Sequence, residues 1–218
     1  MAKIFKTVDT IILASASPRR RMLLDAIGVT CVVQPADIDE SLMADETPQS
    51  YTKRMARQKS AAVGAVNPEQ WILAADTCVV AGGDILGKPA SFSQAVAMLG
   101  RLSGRTHQVY SGVSLLHKQR GIQALLTVHS EVSFAAVSQE VLKAYAATDE
   151  PYDKAGAYGI QGIGAMLVES VNGSYTNIVG LPLAEVVALL LSHSIIAVRS
   201  VPPLHAGDTA IKIHRDTD

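Results

Sequence analysis

Three charged residues stand where the surrounding pattern would place apolar side chains. Asp76 closes the run Trp71-Ile72-Leu73-Ala74-Ala75 and precedes Thr77-Cys78-Val79-Val80. A carboxylate between two apolar strand segments is partly buried or aimed into a cleft, where it can serve as a base, hold a metal ion or cap a turn. The strand context favours a site carboxylate. Lys59 lies within the helical stripe Met55, Ala62, Val63 and Val66, while Lys53 and Arg57 point roughly the other way. An ammonium on such a face must snorkel, pair or serve a site. Arg20 shares a helical face with Leu23, Leu24 and Ile27. It belongs to Ser15-Ala16-Ser17-Pro18-Arg19-Arg20-Arg21, between a strand and a helix. The unpaired N–H groups and positive dipole of that helix start suit a phosphate. A solvated basic turn or a structural salt bridge has equal standing.

Other segments are weaker or misleading. Gly82 to Pro89 nearly spells the phosphate loop GxxxxGK followed by Ser or Thr. Pro89 has neither a hydroxyl for Mg²⁺ nor an N–H for phosphate, and the preceding segment reads as a hairpin. A kinase or ATPase loop is therefore rejected, although Lys88 is free to meet phosphate by another geometry. Asp37, Asp39 and Glu40 share one loop and offer the oxygen ligands that Mg²⁺ prefers. Acidic loops are usually only solvated, so this signal is weak alone. The six histidines show no HxxxH or HExxH spacing, which argues against zinc.

The elements that must position these residues alternate between β and α. Ile11 to Ala14 reads as a buried strand, with a helix from Ser17-Pro18 to a stop at Gly28. A short strand at Cys31 to Val33 is followed by the acidic loop and a helix from Thr47-Pro48 to about Val66. Trp71 to Ala75 is a buried strand, and Gly82-Gly83 turns a hairpin after it. Ser91 or Ser93 caps a helix carrying Ala95, Met98, Leu99 and Leu102. Strands at His107 to Leu116 and Ile122 to Phe134 precede a helix from Ser138 to Ala147 and a glycine-rich loop, Gly156 to Gly164. Asn172-Gly173 predicts a hairpin between Met166 to Val171 and Tyr175 to Val179, and a last helix starts near Pro182. One domain is expected over residues 1–194, with a C-terminal tail over 195–218.

Composition narrows the function classes. The 218 residues carry a net charge of −1 and 5% aromatics, which disfavours a nucleic-acid binder. Cys31 and Cys78 sit in apolar runs and read as reduced thiols of a cytoplasmic protein, and the N-terminus has no secretory h-region. Ile178 to Val198 is apolar enough to suggest a membrane span, but Pro182, Glu185, Ser192, His193 and Ser194 interrupt it, so a core helix is the better reading.

Taken in order, these pieces resemble the Maf family of nucleotide pyrophosphatases. The resemblance runs from about Ile11 to Leu191. It rests on LASASPRR (Leu13 to Arg20), ARQKSAA (Ala56 to Ala62), AADT (Ala74 to Thr77), LGKP (Leu86 to Pro89), LSGRTH (Leu102 to His107), DKAGAYGIQG (Asp153 to Gly162) and a GLPL after it. It implies an α/β fold, an elongated mixed sheet of two lobes with a central cleft, like that of inosine triphosphate pyrophosphatases, often as a homodimer. It implies hydrolysis of a nucleoside triphosphate between the α and β phosphates with Mg²⁺ or Mn²⁺. Asp76 then matches the proposed catalytic base and a metal ligand. Arg19, Arg20, Lys59 and Lys88 match phosphate-binding positions, and Ser15 and Ser17 lie in the same loop. Asp39 matches an acidic position usually occupied by Glu, with Glu40 beside it as a substitute metal ligand. Thr77 and Gln161 resemble the branch acting on dTTP and UTP; Gln161 offers a donor and an acceptor to a pyrimidine edge. A 7-methyl-GTP pyrophosphatase, or a non-catalytic nucleotide sensor in cell division, is the alternative.

Overall fold

Strand β4 (Trp71–Ala81) is the axis of the fold, because both its faces are buried along nearly its whole length. In this computed structural model, which describes residues 3–200, β4 is the third of six strands in the path of a mixed sheet. On one side it runs parallel to β2 (Ile11–Leu13), which in turn runs parallel to β3 (Val32–Val33). On the other side it is antiparallel to β6 (Thr106–His117), followed by β7 (Ile122–Phe134) and β8 (Val168–Asn172). A short seventh strand, β5 (Asp84–Leu86), folds back onto β4 through Gly82 and Gly83, whose φ of +61° and +90° give the expected hairpin turn. The parallel strands are joined by α1 (Pro18–Ile27) and α2 (Pro48–Val66), and α3 (Phe92–Leu102) and α4 (Gln139–Ala146) follow farther along the chain.

Side-chain alternation along β4 divides the interior. Trp71, Leu73 and Ala75 join Leu24, Val113 and Leu190 in one core, whereas Val79 and Ala81 join Leu99, Phe134 and Tyr145 in a second. Thr77 falls between the two cores on that face. On the opposite face Ile72 and Ala74 meet Val63 of α2, and Cys78 and Val80 meet Tyr110, with Asp76 between them. The strand therefore carries a carboxylate and a hydroxyl, on opposite faces, at the junction of two lobes.

Local signals explain most helix ends. Thr47 accepts from the Ser50 N–H to start α2, Ser91 from Gln94 to start α3, and Ser138 from Val141 to start α4. Helix α1 has Pro18 at its start and ends on Gly28 at φ +96°.

One glycine sets how closely α2 approaches the sheet. Gly112 pairs with Asp76 in register, and a Cβ there would lie 2.2 Å from the Thr52 carbonyl oxygen. A backbone neighbour on a packed helix has no rotamer to escape into. Gly112→Ala should lower stability by about 3 kcal/mol, near the top of the usual overpacking range. Thermal melting checks this, and because α2 carries Lys59, activity should fall with it.

Three expectations change. Asp76 sits inside an eleven-residue strand, not near the end of one, because β6 pairs along β4 from Ile72 to Val80. The hairpin at Asn172-Gly173 does not form: β8 pairs with β7, and Tyr175–Val179 is a short helix, α5, capped by Ser174. Buried Asn177 explains the helix, since its amide donates to the Val109 carbonyl and Ser130 Oγ, contacts that bring α5 onto the sheet. The structure also continues past the boundary expected at residue 194. After α6 (Leu183–Ser192), β9 (Ile196–Val198) pairs antiparallel with β1 (Phe5–Thr7), a strand that no alternation announced. The rest of the expected tail, 201–218, lies outside the described residues. Ile178 to Val198 is broken by Gly180 and Pro182, and no helix among the described residues is long and apolar enough to cross a membrane.

Candidate active site

Between the two cores lies a cleft of about 760 Å³, lined by the Ser15–Arg20 turn, Lys59, Asp76, Thr77, Lys88 and the loop carrying Gln161. The loop after β2 enters it first. Buried Ser15 accepts the Ser17 N–H at 3.2 Å, so Ser17 shapes the turn through its backbone and makes no side-chain cap on α1.

Arg20 is held from three directions. Its Nε donates to the Gly180 carbonyl at 2.8 Å, Nη1 to Ser15 Oγ at 2.8 Å, and Nη2 to Thr77 Oγ1 at 3.3 Å. All three acceptors are neutral, and Arg20 makes no ion pair among the described residues. Although the side chain meets the open cleft, its charge lies among protein atoms; desolvation pushes the guanidinium below its usual value, with Asp76 only partly offsetting it. A guanidinium has five N–H donors, so some of this fork is free to meet an anion. Thr77 is committed to the same support: its Oγ1 lies 2.7 Å from buried Ser111 Oγ and 3.3 Å from the Gly180 carbonyl oxygen.

Lys59 reaches from α2 to two carboxylates. Nζ lies 2.6 Å from Asp76 Oδ1 and 2.7 Å from Glu40 Oε1. Lys59 and Asp76 are 8% and 7% exposed, so this charge pair is largely buried where it lines the cleft, whereas Glu40 is exposed at the rim. The ammonium is thus a cation already seated between two carboxylates that open onto the cleft. That donor set fits Mg²⁺ or Mn²⁺ in the mode that uses one or two carboxylates and completes its shell with phosphate and water oxygens. It does not amount to an all-protein cage: among the described residues no group of three or more His, Cys, Asp or Glu is arranged to hold a metal. Asp39 lies off the cleft lining, exposed, with Oδ1 accepting the Ser41 N–H at 2.9 Å. That backbone hydrogen bond holds its carboxyl below the usual range and gives it a turn-making role.

The far wall is cationic as well. Arg19 Nη1 lies 2.8 Å from Asp153 Oδ2, joining α1 to the loop after α4. Burial works against the Asp153 charge, but donation from Lys154 and Arg19 wins and holds the carboxyl low. Lys88 lines the cleft after β5, is exposed and has no ion pair among the described residues. Gln161 lines it from the glycine-rich loop.

Glu150, Lys154 and Tyr51 also line the cleft and the Gly180 carbonyl accepts from Arg20, none of which the sequence pattern marks for those parts. Tyr51 was findable: it is one turn before Met55 on α2, and its hydroxyl donates to the Glu40 carbonyl at 3.0 Å. Gly180 opens the GLPL run, but nothing local marks its carbonyl as an acceptor; α5 ends there with φ +120°.

Behind the loop, His107 Nε2 is 2.8 Å from the Tyr158 hydroxyl, and burial pushes His107 down to about 4. The unfolded chain, with histidine near 6.5, takes up that proton first. The contribution to stability is therefore whole above about pH 6.5 and lost as the pH falls toward 4. Melting temperature should drop across that window, and a His107→Gln variant should lack this part of the slope.

The family model described as Maf-like protein matches residues 10–193. A dTTP/UTP pyrophosphatase of Desulfotalea psychrophila is 44% identical over 194 residues, covering 89% of this chain and 100% of that one. A dTTP/UTP pyrophosphatase of Myxococcus xanthus is 50% identical over 180 residues, covering 83% and 90%. Among solved structures, the Ham1 protein of Staphylococcus aureus aligns over 84% of this chain and 99% of its own at 14% identity, with a TM-score of 0.49.

Proposed function

We propose a reaction for the cleft from one premise: the chain belongs to the Maf-like protein family. It is a nucleoside triphosphate pyrophosphatase that hydrolyses dTTP, UTP and related pyrimidine nucleotides to the monophosphate and pyrophosphate. The observation that carries this reading is the charge arrangement. Arg20 is held by neutral acceptors alone, beside a largely buried Lys59–Asp76 pair in the same cleft. A cation without a carboxylate partner calls for an anionic ligand, and a carboxylate beside it supplies the base that cutting that ligand requires.

Arg20, Arg19 and Lys88 bind the triphosphate from the α1 and β5 sides of the cleft. Lys59 donates to Asp76 and so aims its carboxylate. Asp76 takes a proton from the water that attacks the α-phosphorus. The bond from α-phosphorus to the bridging oxygen breaks, and its electron pair leaves with pyrophosphate. Arg19, Arg20 and Lys88 meet the charge that gathers there, and Asp76 then returns its proton to solvent. Glu40 would hold Mg²⁺ or Mn²⁺, which would add positive charge along the triphosphate; an Asp76 that shared the ion would be a poorer base, so the two tasks are alternatives for that carboxylate. Gln161 meets the base edge, while Ser15 and Thr77 support Arg20. The Desulfotalea and Myxococcus relatives, both dTTP/UTP pyrophosphatases, support the pyrimidine preference.

Incubation with Mg²⁺ and, separately, dTTP, UTP, 7-methyl-GTP and the common nucleotides tests the reading, with products resolved by chromatography. TMP and UMP should appear together with pyrophosphate. Turnover of 7-methyl-GTP alone would overturn the substrate choice, and binding with no turnover, Mn²⁺ included, would leave a nucleotide sensor.

A further inference from the structure

The glycine-rich loop over the cleft is built around one carboxylate. Half-buried Glu150 opens the 3-10 turn Glu150–Asp153 after α4. Its Oε1 accepts from the Tyr145 hydroxyl at 2.9 Å and the Gly164 N–H at 2.9 Å, and its Oε2 accepts from the Ile163 N–H at 2.8 Å. The Tyr145 hydroxyl in turn accepts the Gly159 N–H at 3.1 Å. The chain wraps this carboxylate closely: a Cβ on Gly162 would lie 2.0 Å from Oε2, and one on Gly159 would lie 3.0 Å from Oε1. On the near side of the turn, Tyr158 bonds His107 and Ile160 packs against the core. Both flanks of Gln161 are thereby pinned. Gln161 itself is exposed at the cleft, and no hydrogen bond among the described residues holds its side chain.

We propose that Glu150 is the positioning residue for Gln161, setting where that amide meets a nucleobase and so the selectivity among nucleotides. The proposal rests on reading the cleft as a nucleotide site with Gln161 at the base. A carboxylate suits the task because it is acceptor-only and has room for all three donors. Burial works against its charge, yet the Gly164, Ile163 and Tyr145 donors hold the carboxyl below its usual range. A neutral amide in its place keeps one acceptor oxygen and turns an NH₂ toward an N–H. The flanks of Gln161 would then shift, and its amide would lose the alignment that hydrogen bonds to a base edge need.

The test measures equilibrium binding of non-hydrolysable α,β-imido analogues of dTTP, UTP, CTP and GTP. It compares wild type with Glu150→Gln, Tyr145→Phe, Gln161→Ala and the Glu150→Gln/Gln161→Ala double variant. Hydrogen exchange over residues 159–164 is followed alongside. Glu150→Gln should speed exchange in that segment and reduce the preference for dTTP and UTP by up to about tenfold. Tyr145→Phe should act in the same direction with a smaller effect, and it serves alone should Glu150→Gln fail to fold. In the Gln161→Ala background, Glu150→Gln should change the preference no further. Equal weakening toward all four nucleotides, additive losses in the double variant, or a wild type without preference would each overturn the proposal. Because the readout is binding, a wild type that binds selectively without hydrolysis sinks the pyrophosphatase reading and leaves this test intact.

Discussion

Asp76→Asn should lower turnover of dTTP and UTP by at least about a hundredfold while the protein stays folded. The amide has nearly the shape of the carboxylate and can still accept from Lys59 Nζ, which lies 2.6 Å from Oδ1. Lys59 also keeps Glu40 at 2.7 Å, so the substitution does not strand an ammonium without a carboxylate. Gly112, opposite residue 76 in the β4–β6 register, is undisturbed. What disappears is the group that accepts a proton from water, and an amide cannot replace it. Steady-state turnover beside a thermal melt separates the two effects: activity should collapse with the melting temperature nearly unchanged. A rate near wild type would remove Asp76 from the role of base, and a collapsed fold would show that the buried pair serves stability first.

Arg20→Met should reduce kcat/KM by about a hundredfold or more with little loss of stability. The guanidinium anchors to Ser15 Oγ, Thr77 Oγ1 and the Gly180 carbonyl, all neutral, so the folded protein bears the cost of desolvating a charge that Asp76 only partly offsets. Methionine keeps much of the apolar stem and removes that cost, which offsets the lost hydrogen bonds. Thr77 retains Ser111 and Ser15 retains the Ser17 N–H, so those hydroxyls are not orphaned. Arg19→Met provides the contrast, because Arg19 already has an anionic partner in Asp153 and its loss should weaken binding less. Kinetics of the two variants beside their melting curves check the order. Equal losses, or an Arg20→Met protein that unfolds, would recast Arg20 as a structural strut between α1 and α5.

Much of this was legible in the sequence because the relevant forces are local. Thr47, Ser91 and Ser138 cap their helices through side chains that reach backbone three residues on, a geometry that sequence spacing states directly. Lys59 stood out because a 3.6-residue period fixes which face it occupies. The failures came where a distant partner outweighed a local signal. Asn172-Gly173 is a sound turn, but a hairpin also needs the following segment as a strand, and Asn177 instead anchors that segment as a helix against β6 and β7. Strands β1 and β9 are three residues each, too short for alternation to reveal, and exist because they pair with each other. Asp39 and Glu40 are neighbours of like charge that composition cannot rank. The backbone turn at Ser41 takes Asp39, and the Lys59 ammonium takes Glu40.

The sequence by itself determined which chemical groups this protein brings to its cleft and on which elements they ride: a strand acid, a helix-face lysine, an arginine turn and a glycine-rich loop. Only the tertiary structure decided which of them act together. Arg19 meets Asp153 across 134 residues and Arg20 meets Gly180 across 160, separations over which no helical or strand period carries information. Those meetings depend on sheet register and on how closely α2 can lie over Gly112. Register and helix–sheet distance are set by packing of the whole core, so the neutral acceptors around Arg20 and the seat of Lys59 between two carboxylates emerge only when the chain is folded.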